Sequence, residues 1–199
     1  MTIKVFETLL AKAQQAGVLQ QKAVDAREWL REASSNTRIS DPLKVIQQGS
    51  GQAMNQTRIG QMFLFRYDAA YKETLPYYDM FPLIFPFRKV PGGFYGINMH
   101  YLPLPYRALL MDNLYATINN DKADETTRLK ISYNILSNAA KFRYFKPCVK
   151  HYLNSQVKTK FIYINPKEWD MALFLPLHKF KGATATTVYR DSRKTISGR

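Results

Sequence analysis

Acidic residues are scarce in this chain, 15 Asp and Glu against 29 Lys and Arg. From Thr126 to Lys167, 42 residues pass without an Asp or Glu, while Arg128, Lys130, Lys141, Arg143, Lys146, Lys150, Lys158, Lys160 and Lys167 all fall there. Solvated faces ordinarily mix signs, so a stretch of one sign implies an anion that neutralises it, and phosphate backbone is the commonest such partner. Cysteine is nearly missing as well. Cys148 stands alone, which rules out an intrachain disulfide and suggests a reducing compartment at synthesis; between Pro147 and Val149 it reads as a small buried apolar residue. No apolar run approaches the ~20 residues of a membrane span. Lys4, Glu7 and Lys12 break the apolar N-terminal stretch, so no secretory signal is expected and the protein should be soluble. Catalytic and cofactor signatures are missing too: there is no HExxH, no paired Cys-His spacing and no Gly-x-Ser-x-Gly elbow. Gly49-Ser50-Gly51 lacks the Lys-Ser or Lys-Thr that a phosphate loop carries.

What is present is cation and ring. The 199 residues carry a formal net charge of +14, and 46% hydrophobic with 14% aromatic content is enough for a packed core. Charge density peaks over residues 179–199, with six basic side chains against one acid. Ile3, Phe6, Leu10 and Ala13 predict a helix over 2–16, and Ala23, Ala26, Trp29 and Leu30 a second over about 19–33, together a helical hairpin arm over 1–33. Ser, Asn, Gln, Gly and Thr dominate 34–61, which reads as a linker with one short helical turn near Leu43–Gln47.

A core domain is expected over 62–181. It opens with a strand at Met62–Tyr67 and a hairpin pairing 83–90 with 93–101 around Pro91-Gly92-Gly93. Pro82 and Pro86 argue that the first hairpin strand is an edge or a bulged one. After Pro103 and Pro105 a helix is expected over the string "PYRALLMDNLYATI" (105–118), with Leu109, Leu110, Leu114 and Ile118 on one stripe. Asp124 can cap a long helix over about 125–145 with Leu129, Tyr133, Leu136 and Ala140 inward, and a short helix is expected from there to Leu153. Lys160–Ile164 reads as a strand, and Asn165, Pro166 and Glu168 start a helix that ends near Phe174. Residues 182–199 read as a mobile basic tail. The class is α+β: a small antiparallel sheet with a central β-hairpin (about 83–101) packed by helices.

Chemistry is harder to find. His100, His151 and His178 lie far apart, and His100 shares a strand face with Asn98. Asp68, Asp79 and His100 would make a metal-dependent nuclease site if they converged; the plainer reading is two turn aspartates and a hydrogen-bonded structural histidine. Cys148 and His151 would lie one turn apart on a helix, without the third group and oxyanion hole that a thiol protease needs. No catalytic residue, metal, cofactor or small-molecule substrate is expected.

The one strong signal is the interleaving of the cations with Tyr133, Phe142, Tyr144, Phe145, Tyr152, Phe161 and Tyr163. Those rings would serve equally as core. Taken with the missing acid, the pattern points to nucleic acid held without sequence reading, since no helix-turn-helix, zinc finger or RNP signature appears. The candidate contacts are Lys141, Arg143, Lys146, Lys150, Lys158 and Lys160, with Tyr144 and Tyr152 as stackers and Arg190, Arg193 and Lys194 as a clamp in the tail.

Four strings carry a further signal: "LPYYDMFPLIFPF", "GGFYGINMHYLP", "KPCVKHYL" and "EWDMALFLP". Over roughly residues 61–181 they resemble the DNA end protector proteins, also described as head-completion proteins, of contractile-tailed bacteriophages. The resemblance implies a virion protein, present in the host cytoplasm during assembly, that binds the ends of packaged double-stranded DNA and blocks host exonuclease. It supplies no residue-level map of binding. A second reading stays open: a structural subunit of the phage tail, baseplate or neck that docks on other phage structural proteins through its terminal arms.

Overall fold

Strand alternation sets what lies on each side of this molecule. A computed structural model describes residues 3–17, 23–118 and 143–198. Among them the strands are β1 (Ala53–Met54), β2 (Met62–Leu64), β3 (Tyr78–Asp79), β4 (Leu83–Val90), β5 (Gly93–Asn98), β6 (Val149–Leu153), β7 (Phe161–Ile164) and β8 (Phe180–Lys181). Six of them form one antiparallel sheet in the order β1-β7-β2-β4-β5-β6, and β3 pairs with β8. Met62, Leu64, Leu83, Phe85, Ile97, Ile162 and Ile164 point to one face and join the main core under the helices. Phe63, Ile84, Phe94, Tyr152 and Phe161 point to the other and build a ring-rich cluster with Phe65, Tyr67 and Tyr78. Most of its rings meet edge-on, as Phe65 and Phe161 do at 5.0 Å, while Phe94 and Tyr152 stack; such pairs add about 0.5–1.5 kcal/mol each beyond burial.

The expected hairpin is present. Val90 pairs with Gly93 across Pro91-Gly92, and Gly92 takes the left-handed conformation (φ +74°) that so tight a turn requires. A side chain at Gly93 would collide with the Tyr152 carbonyl, so glycine is what lets β5 lie this close to β6. The prolines do not make β4 an edge, since β2 and β5 flank it; a register shift between Pro86 and Arg88 absorbs them as a bulge. The expected helix up to Leu153 is strand β6 instead, because Val149–Leu153 finds the open edge of β5.

Around the sheet lie α1 (Lys4–Gln15), α2 (Ala23–Ser35), α3 (Pro42–Gln48), α4 (Leu104–Ile118), α5 (Trp169–Phe174) and α6 (Ala185–Ser197). Ile3, Phe6, Leu9 and Ala13, at helical spacing, carry α1 into the main core. Helix α2 is fastened by Arg31, which donates to Asp170 of α5 and Asp112 of α4, each at 2.8 Å. The segment read as a linker is ordered structure: Asp41 caps α3 by accepting from Leu43 N–H at 2.9 Å, Pro42 opens the helix, and Val45 and Ile46 are buried. The predicted capping box ahead of α5 is formed: Lys167 N–H donates to Asn165 at 3.0 Å, and Asn165 N–H to Glu168 at 3.3 Å. The expected mobile tail is helix α6, capped by Thr184, with Val188, Ser192 and Ile196 turned inward. The helix predicted over about 125–145 lies almost wholly outside the described residues; Arg143–Cys148 form a 3-10 run.

Helix α4 keeps Leu110 of its predicted stripe inward but not Leu109; the side chains of Leu114 and Ile118 lie outside the described residues. Leu109 is 60% exposed, and Arg107 lies on the buried side with Leu110 and Met111. Arg107 is 1% exposed and donates to Leu102 O (2.7 Å), Leu173 O (2.6 Å), His100 O (3.2 Å) and the Tyr189 hydroxyl (2.8 Å). One side chain thereby joins the turn after β5, the end of α5 and α6. Arg107→Met is expected to cost about 3–5 kcal/mol in urea denaturation, since it strands three buried carbonyls and a hydroxyl. Arg107→Lys should recover little of this, because an ammonium cannot span that fork. A loss below about 1 kcal/mol in Arg107→Met would show that the guanidinium is not what joins these elements.

Candidate nucleic-acid interface

Pairing across the hairpin sets Lys89 opposite Phe94, on the ring-rich side of the sheet. The chain between β6 and β7 brings Lys158 and Lys160 to the same place beside Phe161. Its path is fixed by Lys158 N–H donating to Arg66 O (2.9 Å) and Arg66 N–H donating to the Thr159 hydroxyl (3.0 Å). The result is a cleft of about 730 Å³ floored by Phe94 and Phe161, walled by the three lysines, and lined by no acidic side chain. Lys158 and Lys160 are exposed, and none of the three lysines is in an ion pair among the described residues.

Lys158 also borders a second hollow of about 440 Å³, where Arg66, Lys72 and Lys181 gather. Its single acid, Asp68, accepts from the Tyr78 hydroxyl (2.8 Å) and pairs with Lys72 (3.2 Å). Those two partners, Tyr78 foremost, hold the Asp68 carboxyl below its ordinary range. Lys89, Lys160, Lys158, Arg66, Lys72 and Lys181 therefore border two hollows that share Lys158 and contain one already neutralised carboxylate.

The predicted contacts divide. Lys158 and Lys160 converge in the cleft. Lys146 is exposed on the 3-10 run against which α6 packs, and Arg190, Arg193 and Lys194 are exposed on α6, so these belong to a separate basic group. Lys150 is turned inward, with Nζ 4.0 Å from the centre of the Tyr101 ring, and burial pulls its pKa down. Tyr152 is 4% exposed, stacks on Phe94 at 5.5 Å and hydrogen-bonds Asn98 at 3.1 Å, so it is committed to the core. Lys141 lies outside the described residues, as do the side chains of Arg143 and Tyr144. The acid-free stretch is thus not one strip. Lys89, Arg66, Lys72 and Lys181 went unread because only folding brings them to it. The one available signal was hairpin alternation, which pairs Lys89 with Phe94.

The aspartates and histidines do something else. Asp79 is 3% exposed and accepts four bonds: from His100 Nδ1 (2.7 Å), Asn98 (3.2 Å), Phe81 N–H (3.0 Å) and Lys179 N–H (3.3 Å). Burial alone would raise its pKa; these donors outweigh it and hold Asp79 ionised. Asp68 stands apart at the surface, so the imagined nuclease trio is not assembled. Cys148 is buried, which pushes its thiol up to about 12, and His151 faces Tyr95 at 4.8 Å from β6. Among the described residues no three His, Cys, Asp or Glu side chains group as a metal site would, and no helix is long and apolar enough to cross a membrane.

A family model described as the phage T4 terminal DNA protecting protein matches residues 15–192. The chain belongs to this family. The terminal DNA protecting match runs from the end of α1 into α6, so it takes in α2 and the 34–61 segment, which the resemblance over 61–181 left out, but not α1. No curated protein and no solved structure gives a significant match. In this member of the terminal DNA protecting family, cations are presented at the surface, His151 is exposed, His100 is sealed inside and His178 is half-buried beside it.

His100 and His178 set an acid limit on the fold. Burial, then the charges of His100 and Arg107, lower His178 to about 4, with Asp79 opposing; burial likewise lowers His100. Below 6.5, the ordinary imidazole value, the unfolded chain takes up protons at both, while the folded chain does not until about pH 4 at His178. Stability is therefore full above 6.5 and falls as pH drops through this window, by up to about 1.4 kcal/mol per pH unit at His178, with His100 acting in the same direction. Urea titrations from pH 7.5 to 4.5 should show this fall, and His178→Phe should make it shallower. A flat profile in the wild type would mean that neither ring is held neutral.

Proposed function

We propose that this protein occupies the ends of linear duplex DNA without reading sequence and shields them from exonuclease, acting by occupancy and not by turnover, as a component of the phage particle. The observation that carries this reading is the acid-free cleft of Lys89, Lys158 and Lys160 over an apolar ring floor, in a chain of the terminal DNA protecting family. Exposed ammonium groups suit phosphate as point charges, and every phosphate they neutralise releases counterions whatever the base sequence. The second hollow extends the charge along a path that a backbone strand can follow. Other phage structural proteins are the proposed assembly partners, and the exposed Arg190, Arg193 and Lys194 of α6 are the surface proposed for them or for further phosphates. The docking-arm alternative has less to draw on, because α1 and α2 are fastened to the body and α6 packs its apolar face inward.

Six neutralised phosphates would give a log–log salt slope of about −5. Replacing Lys158 and Lys160 together by Gln should make that slope shallower by about 2 and weaken duplex binding about tenfold or more, with the unfolding free energy in urea changed by less than about 0.5 kcal/mol. Wild-type protein should slow exonuclease digestion of a linear duplex, and the double variant should not at the same concentration. Digestion at the unprotected rate with wild-type protein bound would overturn the proposal.

A further inference from the structure

A third hollow lies beside the basic surface and has a different character. It measures about 530 Å³, within the range of small-ligand sites, and its walls are mainly rings: Tyr67, Tyr71, Tyr77, Tyr101 and Tyr152. Tyr67 and Tyr78 line both this hollow and the one that holds Arg66, Lys72, Lys158 and Lys181. A phosphate-binding surface thus opens directly onto an aromatic one.

The rings are arranged with depth. Tyr101 is 4% exposed and stacked on Tyr77 at 6.0 Å, forming a fixed inner wall. At the rim, Tyr71 is 70% exposed and Leu75 is 43% exposed, apolar surface left in water. Lys150 also lines the hollow, with its ammonium over the Tyr101 ring at 4.0 Å and no hydrogen-bond or carboxylate partner among the described residues. A half-buried cation with no acceptor among the described residues, in a ring-walled hollow next to a cationic surface, calls for a flat group bearing acceptor atoms and tethered to phosphate. A nucleobase meets all three requirements.

We propose that this hollow receives the base of an unpaired or frayed terminal nucleotide, stacked against the tyrosine wall, with Lys150 donating to a base acceptor. The inference rests on the DNA-end reading above and deepens it. Phosphates on Arg66, Lys72, Lys158 and Lys181 supply affinity for any duplex, while the hollow supplies preference for an end, because only a terminal nucleotide is free to leave the stack at little cost.

The test compares three short duplexes: one ending in a single unpaired base, one with an abasic nucleotide in the same place, and a closed duplex without ends. Wild-type protein should bind the base-bearing end about tenfold more tightly than the abasic one, the scale of one base–ring stack. Tyr71→Ser and Leu75→Ser change rim side chains and should fold normally; each should shrink that preference to near one and leave the salt slope unchanged. Lys150→Met should lower it without abolishing it. A 2-aminopurine placed at the unpaired position should lose fluorescence on binding the wild type and keep it with Tyr71→Ser. Equal affinity for base-bearing and abasic ends, or a preference untouched by both rim variants, overturns this inference while the DNA-end reading stands, and would leave the hollow to a side chain of a partner protein. Failure to bind any of the three duplexes overturns both.

Discussion

A guanidinium buried with no carboxylate against it among the described residues must find neutral acceptors for its donors, and the layout of this fold follows from how Arg107 finds them. An unpaired buried charge costs several kcal/mol, so the acceptors cannot be optional. They come from Leu102 and His100 after β5, from Leu173 at the end of α5 and from Tyr189 on α6. Three elements distant in sequence are thereby held in one register. The positive charge has a second effect, since together with burial it keeps the His178 ring neutral. Asp79 balances the same centre from the other side, saturated by four donors. Ser192 of α6 donates to Tyr101 O at 2.7 Å, so the inner wall of the tyrosine hollow is mounted on this polar centre.

The sheet then separates tasks by face. Helices cover the aliphatic side. The other side is covered by rings packed edge to edge, and the chain segments that cross it carry lysines. A lysine is suited to such a rim because its stem lies along apolar surface while its ammonium stays in water. An arginine spread flat on a ring is committed to that ring, as Arg88 is over Tyr95 at 4.4 Å on the opposite face. The cleft lysines remain available to an anion.

Local rules carried well where local chemistry decides structure. The hairpin at Pro91-Gly92, the Asn165–Glu168 capping box and the strand at Phe161–Ile164 were all legible, because turn residues, caps and alternation act within a few positions. Three segments were not. Val149–Leu153 is short and ambiguous between helix and strand, and the open edge of β5 decides it. Residues 185–197 look like a tail because their only apolar anchors are Val188 and Ile196, two turns apart, and Ser192 between them is satisfied by a carbonyl that folding supplies. Leu109 was placed inward because a charged Arg107 on the buried stripe contradicts any hydropathy pattern. The site was half legible for the same reason. Lys158 and Lys160 stood out by acid depletion, but Lys89, Arg66, Lys72 and Lys181 join them only through tertiary structure.

Scarcity of acid has a meaning beyond one stretch of chain. The acids whose contacts define this fold are already engaged: Asp41 caps α3, Asp112 and Asp170 hold Arg31, Asp79 is sealed in the core, Glu168 closes a capping box and Asp68 is held by Tyr78 and Lys72. Even with every acid counted, the net charge of +14 is left to solvent and salt. Such a chain repels itself when free, and whatever polyanion binds the folded form relieves that repulsion as well as making its own contacts. By linkage, the same binding raises the stability of the fold, because an unfolded chain offers no cleft. Charge, fold and partner are therefore one problem here: the acids stabilise the scaffold, and the cations they leave uncompensated define what the scaffold holds.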